Sequence, residues 1–131
     1  MPIFYTPKQA GEALAEVRAI VNRIMAVQND ADRANDREMG EAMTRLHDEV
    51  QKLEELGCIL RDPSVGLVDF PAVRLGERVW LCWKFGEDRI GFWHTSREGY
   101  AGRKRIEEKE FYDDDLAIRS LNREAVSKAH P

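Results

Sequence analysis

Apolar residues recur at Ala10, Leu14, Val17, Val21 and Ile24, spaced by four and three, and draw one stripe along a helix that Ala13, Ile20 and Val27 broaden. The start of this helix is marked by chemistry. Thr6 is placed to cap it, Pro7 suits the first helical position, and Gln9 completes a Thr-x-x-Gln capping box. The segment from Gln28 to Arg37 is polar and rich in Asn and Asp, which bond to nearby backbone and favour a reversal. A second helix is expected from about Arg37 to Leu56, with Met39, Met43, Leu46, Val50, Leu53 and Leu56 on one face and Gly57 as its left-handed stop. Two amphipathic helices joined by a short reversal form an antiparallel pair, packed through these stripes.

After Gly57 the helical period gives way to short runs separated by turn residues. Cys58-Ile59-Leu60, Leu67 to Val73, Arg78 to Phe85 and Ile90 to Thr95 read as strands, with turns at Asp62-Pro63 and Gly66, at Leu75-Gly76, and at Gly86 to Arg89. Connections this short join antiparallel neighbours. Pairing Arg74 with Glu77 sets Asp69 opposite Cys82, Phe70 opposite Leu81 and Val68 opposite Trp83. Centring the next turn on Glu87-Asp88 sets Leu81 opposite His94, Trp83 opposite Phe92 and Phe85 opposite Ile90. On that register the core face carries Val68, Phe70, Val79, Leu81, Trp83, Phe85, Ile90 and Phe92, with His94 at its end. The other face carries Asp69, Pro71, Trp80, Cys82, Lys84, Trp93 and Thr95.

The expected fold is therefore α+β: a helical hairpin over residues 1–57, packed on an antiparallel meander of three to four strands over 58–105, and a C-terminal extension over 106–131. In the extension, Asp113, Asp114 and Asp115 suit the start of a last helix running toward Lys128. Its stripe of Leu116, Leu121, Ala125 and Val126 is weak, so it either packs on the second sheet face or hangs as a tail.

With 131 residues, one core and one domain are expected. The 43% hydrophobic content supports a folded core, and the net charge of -4 makes nucleic acid and anionic lipid improbable partners by overall field. No run approaches the roughly 18 apolar residues of a membrane helix. The opening Met1-Pro2-Ile3-Phe4-Tyr5-Thr6-Pro7 lacks the pattern of a secretory signal, so a cytoplasmic location is expected, with Cys58 and Cys82 as buried thiols.

Several ordered motifs carry a resemblance: Glu55-Leu56-Gly57-Cys58, Gly66-Leu67-Val68-Asp69-Phe70-Pro71, Leu81-Cys82-Trp83-Lys84 with Gly86-Glu87, Phe92-Trp93-His94, and Gly99-Tyr100-Ala101-Gly102-Arg103. From Ile3 to Arg103 the chain closely resembles a prokaryotic family of uncharacterised proteins, domain of unknown function two-two-zero-three. The acidic extension lies outside the resemblance, and Gly40 interrupts a helix that such proteins usually continue with better helix formers. The resemblance implies a fold and a compartment, and no activity.

The residues that suggest a binding site are His94, Glu98 and Arg103, a histidine, a carboxylate and a cation around the end of the fourth strand, with Trp93 as a wall. Asp69 beside Cys82 forms a second constellation, and a buried aspartate there needs a partner. Cys82 is not expected to act as a nucleophile, and no cofactor or metal is expected. The three histidines His47, His94 and His130 are dispersed, and the register sends Asp69 and His94 to opposite sides. Trp80 and Trp93, expected as neighbours on one face, suggest an interface. No catalytic motif is present. The expected function is a non-enzymatic module that self-associates through the hairpin, the tryptophan face or both, most simply as a homodimer. The alternative is a small-molecule or anion-binding protein, conceivably an enzyme, with its site at the end of the fourth strand.

Overall fold

The computed structural model describes residues 3–112 and 122–123. Two helices, α1 (Pro7–Ala31) and α2 (Asp36–Glu55), precede five strands, β1 (Ile59–Asp62), β2 (Leu67–Arg74), β3 (Glu77–Lys84), β4 (Phe92–His94) and β5 (Lys104–Arg105), and a short helix α3 (Lys109–Tyr112) follows. The strands form one antiparallel sheet in chain order. The α+β reading therefore stands, with β5 as an additional edge strand. The helix expected from Asp113 toward Lys128 lies outside the described residues. Among the described residues no helix is long and apolar enough to cross a membrane.

The start of α1 is the expected capping box. The Thr6 hydroxyl accepts from the Gln9 amide, and the Gln9 side chain accepts from the Thr6 amide. Its stripe of Ala10, Leu14, Val17, Ile20, Val21, Ile24 and Val27 is buried. Most of it joins Val68, Phe70, Ala72, Val79, Leu81, Trp83 and Trp93 of the sheet in one core. Tyr5 closes one end of this core, with its hydroxyl donating to the Leu56 carbonyl and its ring edge-on to Phe70. Phe111 of α3 is buried in the same core, and Arg74 of β2 pairs with Glu110.

Helix α2 packs on the core through Leu46, Val50, Leu53 and Leu56 as expected and departs from the expected stripe only at its N-terminal end. Its buried side runs through Ala42, Leu46, Glu49 and Leu53, with Glu49 bound by Arg23 of α1 at 3.0 Å. Met39 and Met43, expected on the packed face, remain 38% and 54% exposed. A small Ala42 and an ion-paired Glu49 form the seam with α1, and this turns the two methionines outward.

The β2–β3 register is the expected one, from Arg74 opposite Glu77 to Val68 opposite Trp83. The β3–β4 register is not. His94 lies opposite Trp80, Trp93 opposite Leu81 and Phe92 opposite Cys82, a shift of one residue from the expected pairing. Because side chains alternate between faces, this exchanges every β4 side chain. Trp93 enters the core at 6% exposure, while His94 and Phe92 join Asp69, Trp80 and Cys82 on the other face.

The shift originates in the turn. Instead of a two-residue hairpin at Glu87-Asp88, the chain closes at Lys84 to Glu87, where the Glu87 amide donates to the Lys84 carbonyl. The Trp83 indole donates to the Glu87 carbonyl, and the Lys84 amide donates to the Glu87 carboxylate. The chain then runs to Phe92 outside the strand ladder, the Asp88 carbonyl accepting from Arg18 and the Gly91 carbonyl from the Ile106 amide.

Candidate functional site

The register brings Asp69, Cys82 and His94 together on the sheet face away from the helices. Asp69 pairs across strands with Cys82, and His94, opposite Trp80, is the diagonal neighbour of Cys82. All three are buried, Asp69 to 1% and His94 to 4% exposure. His94 Nε2 stands 2.9 Å from both Asp69 carboxylate oxygens, and His94 Nδ1 stands 2.7 Å from the Thr95 carbonyl oxygen. Both ring nitrogens therefore face acceptors. A carbonyl only accepts, so Nδ1 is the nitrogen that donates to Thr95, and Nε2 faces the carboxylate. Arg61 of β1 donates from Nε to Asp69 Oδ2 at 2.9 Å. The buried carboxylate is thus held by two partners, which offsets the several kcal/mol that an unpaired buried charge costs.

A layer of cations on aromatic rings covers this centre. The Arg61 guanidinium lies 4.9 Å over Trp80, whose indole donates to Ser96 Oγ at 2.9 Å. Arg103 lies 4.0 Å over Phe92 and 4.5 Å over Tyr100, and it is held by Glu87 through bonds of 3.2 and 2.6 Å. Its Nη1 also reaches Cys82 Sγ at 4.0 Å. Burial, with the charge of Asp69 added, pushes the Cys82 thiol up to about 12, against the opposing pull of Arg103. Cys82 is therefore a thiol at neutral pH. Burial raises the Glu87 carboxyl, but bonds from Arg103 and the Lys84 backbone outweigh it and hold the group below the usual range.

Of the residues expected to bind, His94 occupies the buried centre and Arg103 borders it. Glu98 sits outside, accepting from Lys104 at 2.8 Å and from Thr95 at 3.1 Å, and the Lys104 bond holds its carboxyl low. Trp93 projects to the opposite face, into the core, with Arg74 at 4.3 Å over its ring. Trp80 and Trp93 are therefore separated by the sheet and do not make one aromatic surface. The separation of Asp69 from His94, one of the two grounds for expecting no metal site, is corrected by the same register shift. The two touch. Arg61 and Glu87 were not singled out from sequence. Each becomes visible once the buried Asp69 and the half-buried Arg103 are asked for a partner. Cys58 and Cys82 are free, buried thiols.

A cleft of about 550 Å³ lies at the neighbouring end of the sheet, lined by Pro7, Glu87, Arg89, Phe92, Arg105 and Glu108 among others. His94, Glu98 and Arg103 do not line it. Residues 3–106 match the family model described as uncharacterized conserved protein (DUF2203). No curated protein and no solved structure matches the chain.

Proposed function

The chain belongs to the DUF2203 family of uncharacterised conserved proteins, and we propose that it serves as a non-enzymatic interaction module that forms a homodimer through α2. The observation that carries this reading is the exposed end of an apolar 4–3 repeat. Met39, Met43, Leu46 and Val50 follow one another at heptad spacing, and the first two stand in solvent. In an antiparallel pairing of two α2 helices, Met39 of one copy layers on Met43 of the other, while Leu46 and Val50 stay packed against their own core. The two hairpins then make a four-helix bundle with two-fold symmetry.

Gly40 supports the same surface. It interrupts the helix interior at a cost of about 1 kcal/mol relative to alanine, yet a Cβ placed there meets nothing within 4 Å in its own chain. It flanks the methionine stripe, where a missing side chain lets a second helix approach. The chemistry of the sheet centre favours a binding rather than a catalytic role. Both His94 nitrogens are engaged, and Cys82 holds its proton.

Covering two half-exposed methionines on each copy contributes roughly 1 kcal/mol per side chain from area alone. That gain is set against an association cost of about 4–15 kcal/mol. The gain only matches the low end of that cost, so a weak dimer, populated at high micromolar concentration, is the expected outcome. Sedimentation equilibrium on the full chain tests it: the wild type dimerises at high micromolar concentration, and Met43→Glu returns it to monomer without loss of helical circular dichroism. A wild type that stays strictly monomeric there overturns the reading.

A further inference from the structure

The contact between His94 and Asp69 needs something positive between two acceptors. Nδ1 carries its hydrogen toward the Thr95 carbonyl at 2.7 Å, so Nε2 of the neutral ring directs a lone pair at two carboxylate oxygens 2.9 Å away. A proton resolves the conflict. A metal ion resolves it as well, and a ring whose far N–H is fixed on a carbonyl is the arrangement in which imidazole ligates metal. Cys82 supplies the deciding feature. Its Sγ, an Asp69 oxygen and a His94 nitrogen all lie within 4.8 Å of one another, and all three residues are buried.

We propose that Asp69, Cys82 and His94 form a binding site for one divalent transition-metal ion of the zinc class. One carboxylate oxygen, one thiolate and one imidazole nitrogen form a mixed set suited to zinc or cobalt, and poorly suited to magnesium or calcium, which take all-oxygen shells. Donors bound tetrahedrally at about 2.0–2.3 Å stand roughly 3.3–3.7 Å from one another. The widest separation in the cluster therefore closes by about 1 Å, and the Nε2-to-oxygen contact opens by less than that. Both changes are within the reach of side-chain rotation.

The surroundings assign the roles further. Arg61 already occupies Asp69 Oδ2, so Oδ1 is the oxygen left to the ion. Arg103, clamped by Glu87, stands 4.0 Å from Cys82 Sγ and is placed to hydrogen-bond a metal-held thiolate. Three protein ligands leave a fourth position for solvent. The Arg61 side chain, 41% exposed against 5% for His94, is the partner of the carboxylate that reaches solvent. On binding, the ion takes the place between Nε2 and the carboxylate, and the thiol proton of Cys82 leaves.

Titration of the full chain, stripped with chelator, with Co²⁺ tests the proposal. The expected result is one equivalent bound, with a thiolate-to-cobalt charge-transfer band in the near ultraviolet and the strong visible bands of four-coordinate cobalt, both removed by added Zn²⁺. Cys82→Ser abolishes the charge-transfer band and weakens binding by about tenfold or more, whereas Cys58→Ser changes neither. If Cys82→Ser does not fold, zinc-edge X-ray absorption on the wild type decides, with one sulfur neighbour at about 2.3 Å expected. Absence of saturable binding by the wild type overturns the site. So does bound cobalt without a thiolate band, or a folded Cys82→Ser that binds as the wild type does.

Discussion

Gly66, in the turn between β1 and β2, is where the hairpin of helices meets the sheet, and replacing it with alanine tests that junction. Its φ is +67°, a left-handed conformation that costs a residue with a Cβ about 1–2 kcal/mol. A Cβ there would also stand 2.6 Å from Phe85 Cβ, 2.8 Å from Val21 Cγ1 and 3.2 Å from Met25 Sδ. The first two are close-in side-chain atoms, one of Phe85 in the turn just after β3 and one of Val21 on α1, so relief requires the helix to move away from that turn. Overpacking of this kind adds about 1–3 kcal/mol. The total of roughly 2–5 kcal/mol is a large share of the 5–15 kcal/mol that holds a typical domain together.

Gly76 provides the control. Its φ of +81° is also left-handed, yet an added Cβ meets nothing within 4 Å, so Gly76→Ala carries the backbone strain alone. Urea unfolding followed by circular dichroism separates the two, and Gly66→Ala should lower the midpoint by clearly more than Gly76→Ala. Equal losses would mean that α1 does not press on the β1–β2 turn, and the packing of the helical layer described above would be wrong.

Three further outcomes are expected. Asp69→Ala strands the buried His94 without its partner and should cost about 3–5 kcal/mol in chemical denaturation, whereas a loss below about 1 kcal/mol would show that the carboxylate is not paired. Because Arg103 and the Lys84 amide hold Glu87 below its unfolded value despite burial, its contribution is complete above the unfolded carboxylate range of about 4.3 and disappears as pH falls through the folded value. The urea midpoint should therefore drop on acidification below about pH 5, and Glu87→Gln should flatten part of that slope. Iodide quenching of fluorescence should reach Trp80, which is partly exposed, but not Trp83 at 0% or Trp93 at 6% exposure. Trp80→Phe should remove the quenchable component, and a similar effect from Trp93→Phe would contradict the register.

What was legible in the sequence followed from how many independent constraints each element carried. The start of α1 had three, the Thr6 cap, Pro7 and Gln9, and its stripe needed no partner to be read. The β2–β3 pairing was legible because Leu75 and Gly76, with φ of 49° and 81°, form a two-residue turn that fixes register by itself. In α2 the stripe holds at Leu46, Val50, Leu53 and Leu56 and fails at Met39 and Met43, where Ala42 is the buried residue instead, a choice that only the neighbouring helix makes. The pairing of β4 carried least information. Phe92, Trp93 and His94 offer an aromatic side chain to the core in either setting, so apolar alternation does not choose between them.

The polar requirement does choose. Asp69 sits on a central strand with neighbours that bury it completely, and a carboxylate in that position needs donors from the adjoining strands. Arg61 supplies one from β1. On the other side β3 places Trp80, Cys82 and Lys84 on the same face, and the second partner of the carboxylate is His94, which reaches across from β4. In the setting expected from sequence, Trp93 would face Asp69 and His94 would enter the core beside Leu81, leaving both a carboxylate and an imidazole underserved. The observed setting satisfies both at once and buries the larger indole. A one-residue slip in a loose turn is thus decided by one buried acid, and the same decision places a nitrogen, an oxygen and a sulfur donor within reach of one ion.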